Sequence, residues 1–129
     1  GEQRGSAVAD YDEDGRPDLV VTQNGSFNRL FRNTHAQPGL RVKLNAGPAN
    51  PTGVGARLRL VFEENKTGPA RLITAGSGYW SQDSATQILA TASAPTHLEV
   101  TWPGGSTTRT PVPEGAKAMS VDREGKIVP

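Results

Sequence analysis

Cysteine is missing from the chain, which excludes structural disulfides, thiolate nucleophiles and cysteine-ligated zinc. Its absence leaves the compartment open, because an extracellular domain can be held together by calcium instead of disulfides. Aromatic residues are scarce at 5% and apolar residues reach only 34%, so the core is modest. No apolar run approaches the roughly eighteen residues that a membrane-spanning segment needs. One-sided charge is lacking too. Lys and Arg total 14 against 13 Asp and Glu, a net +1, and no window concentrates the basic residues. This excludes the electrostatic footprint of nucleic-acid binding or of attachment to an anionic membrane. What the 129 residues do hold is 15 Gly and 10 Pro, a composition of many turns and little helix. The length fits one domain with a partial second unit.

The most informative stretch is Asp10-Tyr11-Asp12-Glu13-Asp14-Gly15-Arg16-Pro17-Asp18, followed by the apolar run Leu19-Val20-Val21. Carboxylates stand at relative positions 1, 3, 5 and 9, with glycine at 6. A hard cation such as calcium takes about six to eight oxygens, and the glycine lets the chain wrap around it. Arg16 would contribute its backbone carbonyl. The loop departs from an EF-hand because Val21 stands where a bidentate Glu is required. It therefore joins two strands, with metal-ligand candidates Asp10, Asp12, Asp14, Arg16 and Asp18. The bland alternative is a solvated acidic turn, against which stands the mutual repulsion of four acids with no cation between them. No general base or nucleophile clusters with the loop, so the expected metal is structural.

Residues 6–9 lead into the loop, 18–22 leave it, 23–26 read as an Asn-Gly turn, and 27–33 form another strand. Three such strands cannot bury their own apolar face. The polar connector at 34–39 divides the chain into units 1–37 and 38–129. Beyond it the pattern is consistently β. Leu40, Val42 and Leu44 face inward, as do Leu58 and Leu60 in a strand over 56–62 whose Arg57 and Arg59 point out. A charged hairpin at 63–69 and a return strand at 70–75 follow, then a short strand at 87–90. In 96–102, Leu98, Val100 and Trp102 take one face and His97, Glu99 and Thr101 the other. Strands at 107–110, 119–121 and 126–128 complete about seven from residue 40 onward, which suits a β-sandwich or partly open barrel.

The stretch Gly76-Ser77-Gly78-Tyr79-Trp80-Ser81-Gln82 suggests a sharp bend. Adjacent strand residues point to opposite faces, so one of Tyr79 and Trp80 packs in the core unless the pair forms a ligand platform. Ser77 and Ser81 lie in neither a hydrolase elbow nor a phosphate loop. Gln82 is a candidate for an amide cross-link to a carboxylate or lysine, which would lower the intact mass by one ammonia. His35 and His97 show no ligand spacing.

Residues 7–21 with Asn28-Arg29-Leu30-Phe31-Arg32-Asn33 resemble an FG-GAP/VCBS repeat, the calcium-bearing unit of integrin-like β-propellers. Residues 40–44, Asn50 with Gly53-Val54-Gly55-Ala56-Arg57-Leu58, the Gly-Tyr-Trp-Ser-Gln stretch and Leu98-Glu99-Val100-Thr101-Trp102-Pro103-Gly104-Gly105 resemble the ASPIC/UnbV domain. That domain follows such repeats in the cartilage acidic protein family and its bacterial relatives. One departure is Ile88-Leu89-Ala90-Thr91, where the family carries a Phe-Gly-Leu-Gly-like stretch. The resemblance implies an all-β fold with an N-terminal calcium-loop motif from a propeller-like repeat, at the end of a larger protein. It also implies a secreted or cell-surface location, a matrix or adhesion role, calcium on the aspartates and no enzymatic activity. Expected partners are the upstream propeller blades and an extracellular protein or glycan. A carbohydrate-binding module and a metal-dependent hydrolase are the alternatives. Against the hydrolase, all four acids are needed to saturate one structural ion.

Overall fold

Short alternating runs punctuated by glycine and proline leave the backbone one economical way to satisfy its hydrogen bonds, which is lateral pairing of strands. The computed structural model describes residues 2–24, 29–32, 34, 37–75, 86–91 and 93–129. Within them lie β1 (Glu2–Ala9), β2 (Asp18–Asn24), β3 (Arg29–Phe31), β4 (Leu40–Asn45), β5 (Arg57–Val61), β6 (Arg71–Leu72), β7 (Gln87–Leu89), β8 (His97–Thr101), β9 (Thr107–Pro111), β10 (Ala118–Asp122) and β11 (Ile127–Val128). They form a three-stranded sheet, β1-β2-β3, and two four-stranded sheets, β11-β10-β4-β7 and β6-β5-β8-β9.

The two larger sheets face each other across one core. Leu40, Val42 and Leu44 of β4, Leu89 of β7, and Met119 and Val121 of β10 pack in the same cluster as Leu58, Leu60, Leu98 and Val100 of the opposite sheet. The expected inward sets of β4, β5 and β8 are thus the buried ones. Trp102 extends the β8 alternation into the core, and its indole N–H donates to Thr108 Oγ1 at 2.9 Å, so the buried ring carries no orphaned donor. Of the two architectures expected, the described strands give the sandwich-like one. The pairings leave β11 and β7 at the edges of one sheet and β6 and β9 at those of the other, and no barrel closure is formed among the described residues.

β4 and β10 run parallel, with Met119 opposite Val42 and Val121 opposite Leu44. Parallel neighbours need a long crossover, and here almost everything between them serves as one. In the loop after β4, the Asn50 side chain donates to Val54 O at 2.8 Å and accepts from Val54 N at 3.0 Å. Gly53 has φ +75°, and a Cβ there would lie 2.9 Å from Leu44 Cβ, so both conformation and space call for glycine.

Several boundaries differ from expectation. The return strand at 70–75 contracts to Arg71–Leu72, because Ile73 turns into the core after donating its N–H to Ala56 O at 2.9 Å. The connection at 63–69 contains a 3-10 turn, Glu63–Asn65, with Glu64 and Asn65 at positive φ. From residue 40 onward the described residues hold eight strands, each overlapping one of the expected stretches. Of the turn expected at 23–26, Gln23 and Asn24 continue β2, and the other two residues fall outside the described residues.

In the small sheet, Val8 stands opposite Leu19 and Leu19 opposite Phe31, so three apolar side chains share one face. All three are exposed, at 40%, 38% and 50% respectively. The β1–β2 register also pairs Ala9 with Asp18, which closes residues 10–17 into a hairpin loop.

Candidate metal centre

The acidic loop is folded largely by its own first carboxylate. Asp10 Oδ1 accepts from Asp14 N at 3.0 Å and Oδ2 from Gly15 N at 2.8 Å. Asp14 Oδ1 accepts from Arg16 N at 2.9 Å, and Asp18 Oδ2 from Tyr11 N at 3.3 Å. Glu13 and Gly15 take positive φ, 59° and 83°, and these two positions curl the loop back on itself. A Cβ on Gly15 would lie 3.0 Å from Gly39 O and 3.1 Å from Pro38 Cβ. The missing side chain lets Gly39 N donate to Gly15 O at 2.9 Å, which seats the loop against the start of β4.

This curl brings Asp10, Asp12, Asp14 and Asp18 together, one carboxylate oxygen from each lying within 4.8 Å of the others. Calcium–oxygen distances of about 2.3–2.6 Å put opposing ligands roughly 5 Å apart, so the cluster has the span of a single coordination sphere. Asp18, the first residue of β2, is buried at 1% exposure. Every donor in the cluster is a carboxylate, a set that suits hard cations over zinc or copper. The four aspartates can chelate a metal ion.

Three arginines surround the cluster. Arg16 Nη1 lies 3.2 Å from Asp14 Oδ2, and Arg32 Nε lies 2.7 Å from Asp12 Oδ2 with its Nη2 3.9 Å from Asp14 Oδ2. Arg41 of β4 places Nε 2.9 Å from Asp10 Oδ2 and Nη2 3.7 Å from Glu13 Oε1. Among the described residues, five carboxylates therefore meet three guanidiniums, two more negative charges than positive ones. Desolvation alone would raise the Asp14 carboxyl, but hydrogen bonds from the Arg16 backbone and side chain, with the Arg16 charge, hold it below the ordinary carboxylate range. Asp12 is under-satisfied. Both of its carboxylate oxygens are shielded from solvent and accept no hydrogen bond from the described residues, Arg32 being close but not aligned to donate. Arg41 Nε is likewise an ion-pair partner of Asp10 without hydrogen-bond alignment.

The other residues singled out from the sequence lie elsewhere. His97 is on β8, its Nδ1 3.1 Å from Thr96 Oγ1, and takes no part in the acidic cluster. His35, Ser77, Tyr79, Trp80, Ser81 and Gln82 fall outside the described residues. Sequence reasoning missed Arg32 and Arg41. Arg41 alternates with Leu40 and Val42 as any solvent-facing strand residue would, and nothing in its spacing points across to Asp10.

The family described as ASPIC and UnbV matches residues 46–127, well over half of the chain. The chain belongs to the ASPIC/UnbV family. This is a non-catalytic structural family, typically found in extracellular proteins. No curated protein matches the chain. The acidic loop lies ahead of the ASPIC/UnbV match, as does β4, although β4 is an interior strand of the domain's own sheet.

Within the match, the outer face of β5-β8-β9 carries a second charged group. Glu99 accepts from Arg59 Nε at 2.8 Å and from Arg109 Nε at 2.9 Å, and Arg109 Nη1 also donates to Asn65 Oδ1 at 3.4 Å. Arg57 follows on the same face and is exposed. A 240 Å³ notch here is lined by Arg57, Arg59, Ala70, Glu99 and Thr101. Burial alone would raise the pKa of Glu99, but the hydrogen bonds and charges of Arg59 and Arg109 outweigh it and lower the value.

Two outcomes are expected from this geometry. Arg41→Met, which keeps the aliphatic stem and removes the charge, destabilises the metal-free chain by about 2 kcal/mol. That is less than a fully stranded buried charge would cost, because Asp10 keeps two backbone donors. Urea unfolding in EDTA measures it. Because the folded-state pKa of Glu99 lies below the unfolded value, its contribution is complete above the unfolded pKa and disappears as pH falls through the folded one. Acid unfolding of wild type and Glu99→Gln should therefore converge at low pH and diverge near neutrality.

Proposed function

We propose that the chain is a non-catalytic, calcium-braced structural or interaction module of an extracellular or cell-surface protein. The observation that carries this is the convergence of four aspartates in which Asp12 has two shielded oxygens with no hydrogen-bond donor among the described residues. One divalent cation would supply the missing partner. Asp10, Asp12, Asp14 and Asp18 would hold the ion through side-chain oxygens and Arg16 through its carbonyl. The ion would join the two ends of the β1–β2 hairpin and relieve the repulsion within it. Family membership sets the metal-dependent hydrolase aside.

On this reading β1–β3 is the end of an FG-GAP/VCBS repeat, and upstream propeller blades are the partner. The aligned exposed row Val8, Leu19 and Phe31 supports it, as apolar side chains left uncovered on a face where Val21 is buried. Calcium at a hundredfold excess over its Kd should stabilise the fold by about 2.7 kcal/mol, a rise of roughly 10 °C in Tm. Asp12→Asn should reduce that shift. Superimposable melting curves in EDTA and in millimolar calcium would defeat the calcium reading.

A second reading, carbohydrate recognition, is favoured by the Arg57, Arg59 and Arg109 face, where among the described residues Glu99 pairs with Arg59 and Arg109 and Arg57 stands exposed. Its chemistry suits an acidic glycan. Retention on immobilised alginate at low salt, weakened by Arg57→Ala, is the expected outcome; a wild-type chain that passes through unretained overturns it.

A further inference from the structure

Resting on the calcium reading above, we infer that Arg32 is a built-in attenuator of the cation site, setting both its affinity and the ionic charge it prefers. Arg32 follows β3 and reaches across to the loop, with Nε 2.7 Å from Asp12 Oδ2 and Nη2 3.9 Å from Asp14 Oδ2. It therefore lies along the edge of the cluster formed by the two central ligands.

The three guanidiniums are not equivalent. Arg41 is 17% exposed and pairs with a nearly buried Asp10, and Arg16 is 28% exposed and sits within the loop itself. Arg32 is 55% exposed, and its contact with Asp12 lacks hydrogen-bond alignment. An ion pair of this kind contributes little to holding the fold together. Its positive charge nevertheless stands beside the ligands that an arriving cation must use. Whether the guanidinium stays or swings into water, the cation works against it.

Without Arg32 the cluster has one positive charge fewer beside its two central ligands. A doubly charged ion about 6 Å from the missing positive charge, in water-like surroundings, then gains on the order of tenfold in affinity, and a triply charged ion roughly thirtyfold. The gain shrinks as added salt screens it.

Calorimetric titration of the full chain with calcium and with terbium tests this, using wild type, Arg32→Gln and Arg32→Lys. The expected result is tighter binding by Arg32→Gln, by a larger factor for terbium than for calcium. Arg32→Lys, which keeps the charge, should stay within about threefold of wild type. Melting in EDTA should show Arg32→Gln folded but less stable, with a wider gap between its metal-free and calcium-loaded Tm. If Arg32 only held the loop in shape, Arg32→Gln would bind both ions more weakly. Wild type that binds calcium alongside an Arg32→Gln variant that binds no tighter overturns the inference alone. Wild type that binds neither ion overturns the calcium reading as well.

Discussion

Carboxylates crowded into one tight turn repel each other, and the N-terminal half of this structure is arranged around that repulsion. Asp10 spends both oxygens on backbone donors of its own loop, which fixes the curl that draws Asp12, Asp14 and Asp18 inward. The same curl concentrates charge that nothing within the loop except Arg16 can offset. Compensation comes from outside, through Arg32 beyond β3 and Arg41 on β4. The loop is thus incomplete without its neighbours. The Arg41–Asp10 ion pair and the Gly39–Gly15 backbone hydrogen bond join the three-stranded sheet to the rest of the chain at this point.

β4 shows how one short strand serves two purposes. Its inward residues Leu40, Val42 and Leu44 enter the sandwich core, while Arg41, pointing the other way, pairs with Asp10. The period of two along a strand makes this division possible. Gly39, just before β4, is held by the loop through Gly15 O, and a Cβ there would collide with Leu89 O at 2.5 Å. Core, junction and acidic cluster therefore share a stretch of consecutive residues.

The sandwich core was legible in the sequence because alternation over Leu40–Leu44, Leu58–Leu60 and Leu98–Trp102 reports directly which side of a pleat is dry. The acidic loop was legible because its chemistry is contiguous: the oxygens lie in one nine-residue stretch and the glycine marks the bend. Strand ends were less so. Nothing local says that Ile73 will leave its strand to fill the core, since that depends on Ala56 waiting across the sheet. The arginine counter-charges were invisible for the same reason. Arg41 and Lys43 look alike in sequence, and only the hairpin folding over β4 distinguishes the paired one from the exposed one.

The family match begins at residue 46, one position after β4 ends. A fragment cut there would lose the strand lying between β10 and β7. Two rows of backbone donors and acceptors would then be left open in the middle of the sheet, a ready template for joining other molecules edge to edge. Lateral adjacency of β4 to β10 and β7 ties this sheet to residues upstream of the recognisable sequence signature.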